Sequence, residues 1–467
     1  MVLTRDRQFY RTFFVLCFTL MAERVVVCSV NLLDNVMLGS YAESAMSAAA
    51  AVNQLQFIFQ QLVYGASHGM VILGSQYWAH RRSEPLRQIA GLGMMWGMLF
   101  ALLFFLLSTC FPRTMVSLFT TDPTIIEPGM AYLRIVRFTY PVFAITSVLL
   151  ASLRTVNTVR IALRVSVLSL LVNCGINFVL ISGRFGAPEL GIVGAGIGTL
   201  TARVLECLVV LWYVLKRDRQ IGIRVSDFFR LDMGLMRDYI GVAVPVVIAE
   251  FLWGCTTAIH TGIMGHLSSN AIAAQSISAT VFTLLKVTSL GCSAATAVIV
   301  GQTVGLGDRQ KLKEYVRTLQ VFFILCGVIM SSLLLLIRKP LLGIYDLTPA
   351  TEELANAFIL IQVVVLFLNA YHLPMNTGLI RGGGDTKFSV KLDLTFIWAF
   401  TIPLSLLAAF VFDWGPVAVL LCLNADQGLK CIPVAIYGNS YKWVRDLARD
   451  PVETLEKSEN AVENPAQ

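Results

Sequence analysis

Apolar positions in this chain neither alternate nor trace a one-sided helical stripe. They come in blocks of twenty residues and more, apolar all round, divided by polar stretches. A bilayer core takes roughly 20 apolar residues per helix. Windows of that length predict spans at 12–37, 50–76, 88–110, 130–153, 161–182, 192–215, 238–264, 276–304, 315–337, 356–378, 390–411 and 415–437. The blocks are too long for barrel strands, and in lipid only helices or closed barrels satisfy every backbone group. The pattern therefore predicts an all-α integral membrane protein with twelve transmembrane helices. The start, MVLTRDRQFYR, is basic like a signal sequence. The apolar run behind it is long enough to span and lacks a small-residue cleavage site, so it is expected to stay as the first helix.

Composition agrees: of 467 residues 56% are hydrophobic and only 14% charged, too few polar groups to cover a soluble fold of this size. The net charge of +7 raises the question of nucleic acid, but its distribution answers it. Lysine and arginine gather in the two termini and in the loops after the even-numbered spans. The loops after the odd spans hold Arg113, Arg184, Arg338 and Lys339. That asymmetry places both termini in the cytoplasm of a plasma membrane, a bacterial inner membrane in the expected case, with lipid as the partner and no nucleic acid. The ten cysteines form no CxxC pair and read as small packing residues.

The chain repeats. A shift of 226 positions lays Gly39 on Gly265, Ala45 on Ala271, Ala48 on Ala274, Gly65 on Gly291, Ser67 on Ser293 and Gln76 on Gln302; one further residue of slip lays Arg154 on Arg381. Six helices separate the copies, so both halves have the same orientation, related by an axis along the membrane normal. This is the parallel-repeat plan of many secondary transporters. The expected organisation is a first lobe at 1–215, a basic cytoplasmic linker at 216–237, a second lobe at 238–440 and a polar tail at 441–467.

LDNVMLGS ending the first span, LGIVGAGIGTLTAR in the sixth, VPVVIAEFLWG in the seventh, VGQTVGLGD after the eighth and IRGGGDTKF after the tenth stand in an order and spacing that resemble the multidrug and toxic compound extrusion (MATE) family. The resemblance implies two six-helix lobes, a V-shaped cavity between them and export of organic, often cationic, small molecules by antiport with Na⁺ or H⁺. It implies no enzyme activity and no cofactor beyond the coupling ion. A monomer is expected.

A carboxylate inside a span is costly and points to function by default, which singles out Asp34. Asn173 and Asn177 lie four apart on one face of the fifth span and offer hard amide oxygens, and Thr199 adds a hydroxyl in the sixth. The resemblance implies that Asp34, Asn173, Asn177 and Thr199 form the cation site of the first lobe. Against it stands a structural reading in which Asp34 caps a helix and the asparagines bridge helices. In the seventh span Glu250 and Trp253 are candidates to hold an organic cation by charge and ring face. The alternative for Glu250 is a pair with a buried base, with Arg24 as the expected partner. His260, the repeat counterpart of Asp34, is a candidate proton relay. Arg203 and Glu206, three apart, read as a mutual pair. Arg381 and Asp385, in RGGGDT, read as a tight cytoplasmic turn and gate latch, since no GxxxxGK[ST] pattern supports a phosphate loop.

Two features depart from the family. FLNAYHLP lacks the acid that one branch carries in the tenth span, which puts a second-lobe cation site in question, and Thr19 stands where many relatives have a proline in the first span, while Pro245 lies in the seventh. A rival function is a flippase for lipid-linked sugars on a related plan, which would need more intramembrane bases than Arg24, Arg203 and Lys286. An intramembrane enzyme lacks its signatures here: no HExxH, no GxSxG and no clustered aspartates.

Overall fold

The computed structural model describes residues 3–120, 122–223, 227, 232–267, 269–343 and 348–448; much of the expected linker and the tail beyond 448 lie outside them. Twelve membrane helices follow in order. They are α1 (Arg7–Tyr41), α2 (Glu43–Ala79), α3 (Ser83–Cys110), α4 (Pro123–Val136 continued by Thr139–Thr155 after a 51° bend), α5 (Arg160–Leu180) and α6 (Ile192–Arg217) in the first lobe. The second lobe has α7 (Met233–Leu267), α8 (Ser269–Gly305), α9 (Arg309–Leu342), α10 (Pro349–Ile380), α11 (Thr386–Phe410) and α12 (Pro416–Ser440). Most helices outrun the predicted spans because capped polar turns extend them past the apolar block. Asp6 starts α1 by accepting from the backbone N–H of Gln8 and Phe9, and Asp308 starts α9 through Lys311. Of the twelve, α2 is too polar to qualify as a span by hydropathy. Its Gln56 and Gln61 are buried against protein, so the helix is shielded from lipid by its neighbours.

The hydrophobic core divides as the two lobes do. One cluster, from Phe9 to Trp443, joins residues of both lobes at the end that carries the amino terminus. Toward the other end it splits into a cluster within 38–195 and another within 263–423. The lobes are therefore joined through one core at one end and keep separate cores toward the other.

Small residues set the fusion. On α2, a Cβ at Gly65 would stand 2.5 Å from the Cα of Val247 and one at Gly69 2.7 Å from the Cα of Ala243, so the α2 and α7 backbones touch where side chains are missing. Polar contacts then clasp the same end. The Tyr239 hydroxyl donates to the Ala66 carbonyl at 2.9 Å, and Gln302 donates to the carbonyl of Thr155 at 2.8 Å. Gln76, its repeat counterpart, holds Arg445 and Leu447 (3.1 and 2.7 Å). Tyr315 of α9 donates to Asp6 at 2.6 Å, and that hydrogen bond holds the Asp6 carboxyl below its ordinary range. This clasp is present above the ordinary carboxylate pKa and is lost only as pH falls through the lowered value.

The first residues of the expected polar tail behave otherwise. Trp443 is fully buried, donating from Nε1 to the Gly438 carbonyl, and Arg445 donates from its backbone N–H to Gly383 at 2.9 Å. Gly384, at φ +103°, supplies the turn against which this segment pairs. An indole, not the net charge of the tail, decided the placement of 441–448.

Two buried thiols report on the fusion. Cys17 of α1 and Cys292 of α8 face each other across the lobes with sulfurs 3.5 Å apart. Oxidation with copper phenanthroline is expected to join them and stop transport, with reductant restoring it and a Cys17→Ser variant unaffected. Gly69→Leu should act in the opposite sense. Overpacking of about 1–3 kcal/mol against α7 forces the fused end apart, and maleimide labelling of Cys292 should speed up. Unchanged labelling would show that this contact is not what holds the lobes.

Candidate cation-coupling site

The glycines of α6 explain how a carboxylate on α1 finds partners. A Cβ on Gly194 would stand 2.7 Å from the Leu180 carbonyl oxygen and one on Gly198 would meet Oδ1 of Asn177, so these glycines let α6 pack close to α5. Asn177 then donates from Nδ2 to Oδ1 of Asp34 at 2.6 Å and to Oδ1 of Asn173 at 3.3 Å, and Asn173 donates to the Thr199 hydroxyl at 3.5 Å. The four expected residues are thus contiguous, and Asp34 sits within its helix, away from either end. Oδ1 of Asn177 is buried with no hydrogen-bond partner, a free acceptor that faces Gly198 and reaches the Asp34 side only if the amide turns and gives up its two Nδ2 hydrogen bonds.

Asp34 lines an open cleft of about 550 Å³ together with Asn31, Asn53, Gln56, Gln60, Tyr132, Ser166, Ser169, Arg203 and Glu206. The base in this cleft does not pair with Asp34: Arg203 is bound to Glu206 at 2.9 Å, as their spacing predicts. The cleft's charged groups, Asp34, Arg203 and Glu206, leave a net charge of −1, and that surplus belongs to Asp34. A carboxylate with amide and hydroxyl oxygens around it, no ion-pair partner among the described residues and an open cleft in front of it is suited to a proton or a hard monovalent cation.

The second group of candidates is arranged differently from expectation. Glu250 pairs with Arg381 at 3.0 Å and reaches Nδ1 of His68 at 3.5 Å. Arg24, the expected partner, instead lies 4.9 Å over the ring of Tyr64. The shift of 226 lays Arg24 on Glu250, which puts them on equivalent turns of different lobes, and equivalence by repeat is not contact. Trp253, 40% exposed, packs its ring on Phe57 and has the Lys286 ammonium 5.4 Å from its centroid, so a cation of the protein itself lies beside the ring. Nε2 of His260 is buried without a hydrogen-bond partner.

Nor do Arg381 and Asp385 form one latch. Asp385 caps α11 through Phe388, accepts from the Tyr437 hydroxyl at 2.6 Å and pairs with Arg445 at 3.1 Å. Arg381, its side chain 7% exposed, points inward to Glu250 and, at 3.5 Å, to Asp393. Asp393 in turn holds Lys430 at 2.8 Å, and Lys430 holds Asp426 at 3.1 Å. Asp393, Asp426 and Lys430 escaped the sequence reading although all lie inside predicted spans. The i, i+4 spacing of Asp426 and Lys430 was the available signal.

Known proteins match along nearly the whole chain. The MatE family profile matches twice, at residues 20–179 and 245–407, two segments that start 225 positions apart, close to the internal shift of 226. A probable multidrug resistance protein NorM of Thermotoga maritima is 23% identical over 93% of this chain and 94% of its own length. A multidrug resistance protein MdtK of Yersinia pseudotuberculosis is 22% identical over 84% and 86%. Among solved structures, the eukaryotic MATE transporter AtDTX14 superposes with a TM-score of 0.83 at 16% identity, over 94% of this chain and 97% of that one. A MOP superfamily transporter from Pyrococcus furiosus gives 0.83 at 15%, over 96% and 100%. Twelve helices in two fused lobes, a repeat in register and a profile that fits each lobe in turn have one common source: the chain is a member of the MATE family of transporters.

Proposed function

We propose that this protein is a multidrug-type antiporter that exports organic, chiefly cationic, small molecules from the cytoplasm in exchange for Na⁺ or H⁺ taken up at Asp34. It works as a monomer in the bacterial inner membrane, with both termini and the fused end of the lobes on the cytoplasmic side, as the lysine and arginine distribution indicates. The names of the NorM and MdtK relatives support the substrate class. One observation carries the coupling site: among the described residues no base lies within ion-pair reach of Asp34, which lines an open cleft whose formal net charge is −1 with Asp34 ionised. With the lobes parted on the outer side, an ion from outside reaches Asp34. Neutralising that charge lowers the cost of burying the cleft when the lobes rock, and binding of the organic compound in the other state returns the ion. For Na⁺, Asn177 turns its unpartnered oxygen to the ion; for H⁺, the acid keeps its hydrogen bond to the amide. Reconstitution into vesicles with separately imposed Na⁺ and H⁺ gradients tests this, reading efflux of a fluorescent organic cation. Efflux should follow one of the two gradients, and efflux indifferent to both would refute antiport.

A further inference from the structure

The second-lobe charges stand at the repeat positions of the first-lobe cleft. With the shift of 226, Asp34 and Gln60 correspond to His260 and Lys286; with the shift of 227 that aligns Arg154 and Arg381, Ser166, Thr199 and Arg203 correspond to Asp393, Asp426 and Lys430. The two clefts are the same place built twice, with the charges redistributed. In the first, Arg203 is drawn aside by Glu206, one turn on, at 2.9 Å. In the second, the position equivalent to Glu206 is Pro433, which offers no carboxylate. The basic side chain therefore turns inward, and its ammonium lies between Asp393 at 2.8 Å and Asp426 at 3.1 Å, with the Lys430 side chain 3% exposed. Gln427 completes the shell by donating to Asp426 at 2.8 Å while accepting from Asn369. Glu250 and Asp393 pair with Arg381, and Asp393 and Asp426 with Lys430, so each of these carboxylates is held by a base of the protein, whereas Arg203 of the first cleft is held by Glu206 and leaves Asp34 unpaired. The backbone marks the place as well: π-helical turns at Pro374–Ile380 and Leu394–Thr401 run up to Arg381 and away from Asp393.

We propose that Lys430 is the resident cation of the second lobe. Its tethered ammonium fills the cage that corresponds to the exchangeable site of the first lobe, so one ion, bound at Asp34, is exchanged per cycle. The count of one rests on the reading of Asp34 given above; occupancy of the second cage by Lys430 does not.

Thermal unfolding of the purified protein in detergent tests it, at constant ionic strength with choline as the balancing cation. Lys430→Ala, which leaves two carboxylates around an ammonium-sized gap, is expected to lower Tm by several degrees and to regain it saturably with added propylammonium. Lys430→Arg and the native protein should show no such dependence. The rescue should persist in Asp34→Asn/Lys430→Ala, which separates it from the first-lobe site. Propylammonium without effect on a folded Lys430→Ala protein would overturn the proposal. Should that variant not fold, the native cage answers: Na⁺ raised from zero to about 200 mM in exchange for choline, so that screening stays constant, is expected to leave the Tm of Asp34→Asn unchanged. A saturable Na⁺-dependent rise there would reveal a second exchangeable site and equally overturn the proposal. If the native protein shows no Na⁺ effect either, Na⁺ coupling at Asp34 fails and the assignment of Lys430 stands.

Discussion

Asp34→Asn is expected to reduce gradient-driven efflux to the level of empty vesicles while the purified protein keeps its fold and its Tm. The two halves of this result have separate causes. Stability is unaffected because Asp34 has no ion pair to lose among the described residues: its hydrogen bond from Asn177 at 2.6 Å can be accepted by the amide oxygen of an asparagine of the same size. Removing an uncompensated carboxylate from a membrane helix relieves a desolvation cost, so Tm should hold or rise. Transport is lost because coupling is a difference in ion affinity between two states, and a side chain that binds no ion supplies none. Downhill equilibration of the organic compound should survive at a reduced rate. The decisive pair of measurements is efflux under each imposed gradient and Tm in the same preparation. Full uphill activity of a folded Asp34→Asn protein would remove Asp34 from the coupling step.

What was legible in the sequence follows from how local each signal is. Apolar blocks and the repeat shift act at every position of a helix, so helix number, lobe plan and family could be read. Asp34 stands out because it is a carboxylate with no base beside it in an apolar run, whereas Glu23 of the same span adjoins Arg24, and Asn173 and Asn177 stand out because four-residue spacing fixes a shared face whatever surrounds it. Partner choice is another matter. Glu250 takes Arg381, 131 residues away and at the end of α10, because the π-helical turn at Pro374–Ile380 swings that arginine inward. No spacing rule contains that turn. Trp443 shows the same limit from the other side: flanked by Lys442 and Arg445 in a charged segment, it reads as tail, yet Gly383, whose missing Cβ leaves room for the indole, makes it core.

The second large effect concerns stability rather than ion exchange. Arg381→Met is expected to cost about 3–5 kcal/mol, the usual penalty for removing one partner of a buried ion pair, and to appear as a drop in Tm with loss of transport. Among the described residues Arg381 is the ion-pair link between two otherwise separate pairs, joining Glu250 at 3.0 Å to Asp393 at 3.5 Å, and it also donates from Nε to Ser389 at 2.7 Å. Methionine fills the volume but leaves Glu250 with His68 and Asp393 with Lys430, each weaker than before. Because the penalty comes mostly from the stranded acid, neutralising it should refund part of the loss: Arg381→Met/Glu250→Gln is expected to be more stable than Arg381→Met alone, a non-additivity of the kind that neighbours in one network show. Transport need not return with stability. Glu250 is where the second-lobe network reaches α2 of the first lobe through His68, so the double variant should fold yet hold the fused end less firmly, and Cys292 should then react faster with maleimide than in the native protein. Additive Tm losses in the double variant would mean that Glu250 and Arg381 stabilise the fold independently, and that the chain from His68 to Asp426 is a series of contacts without energetic coupling.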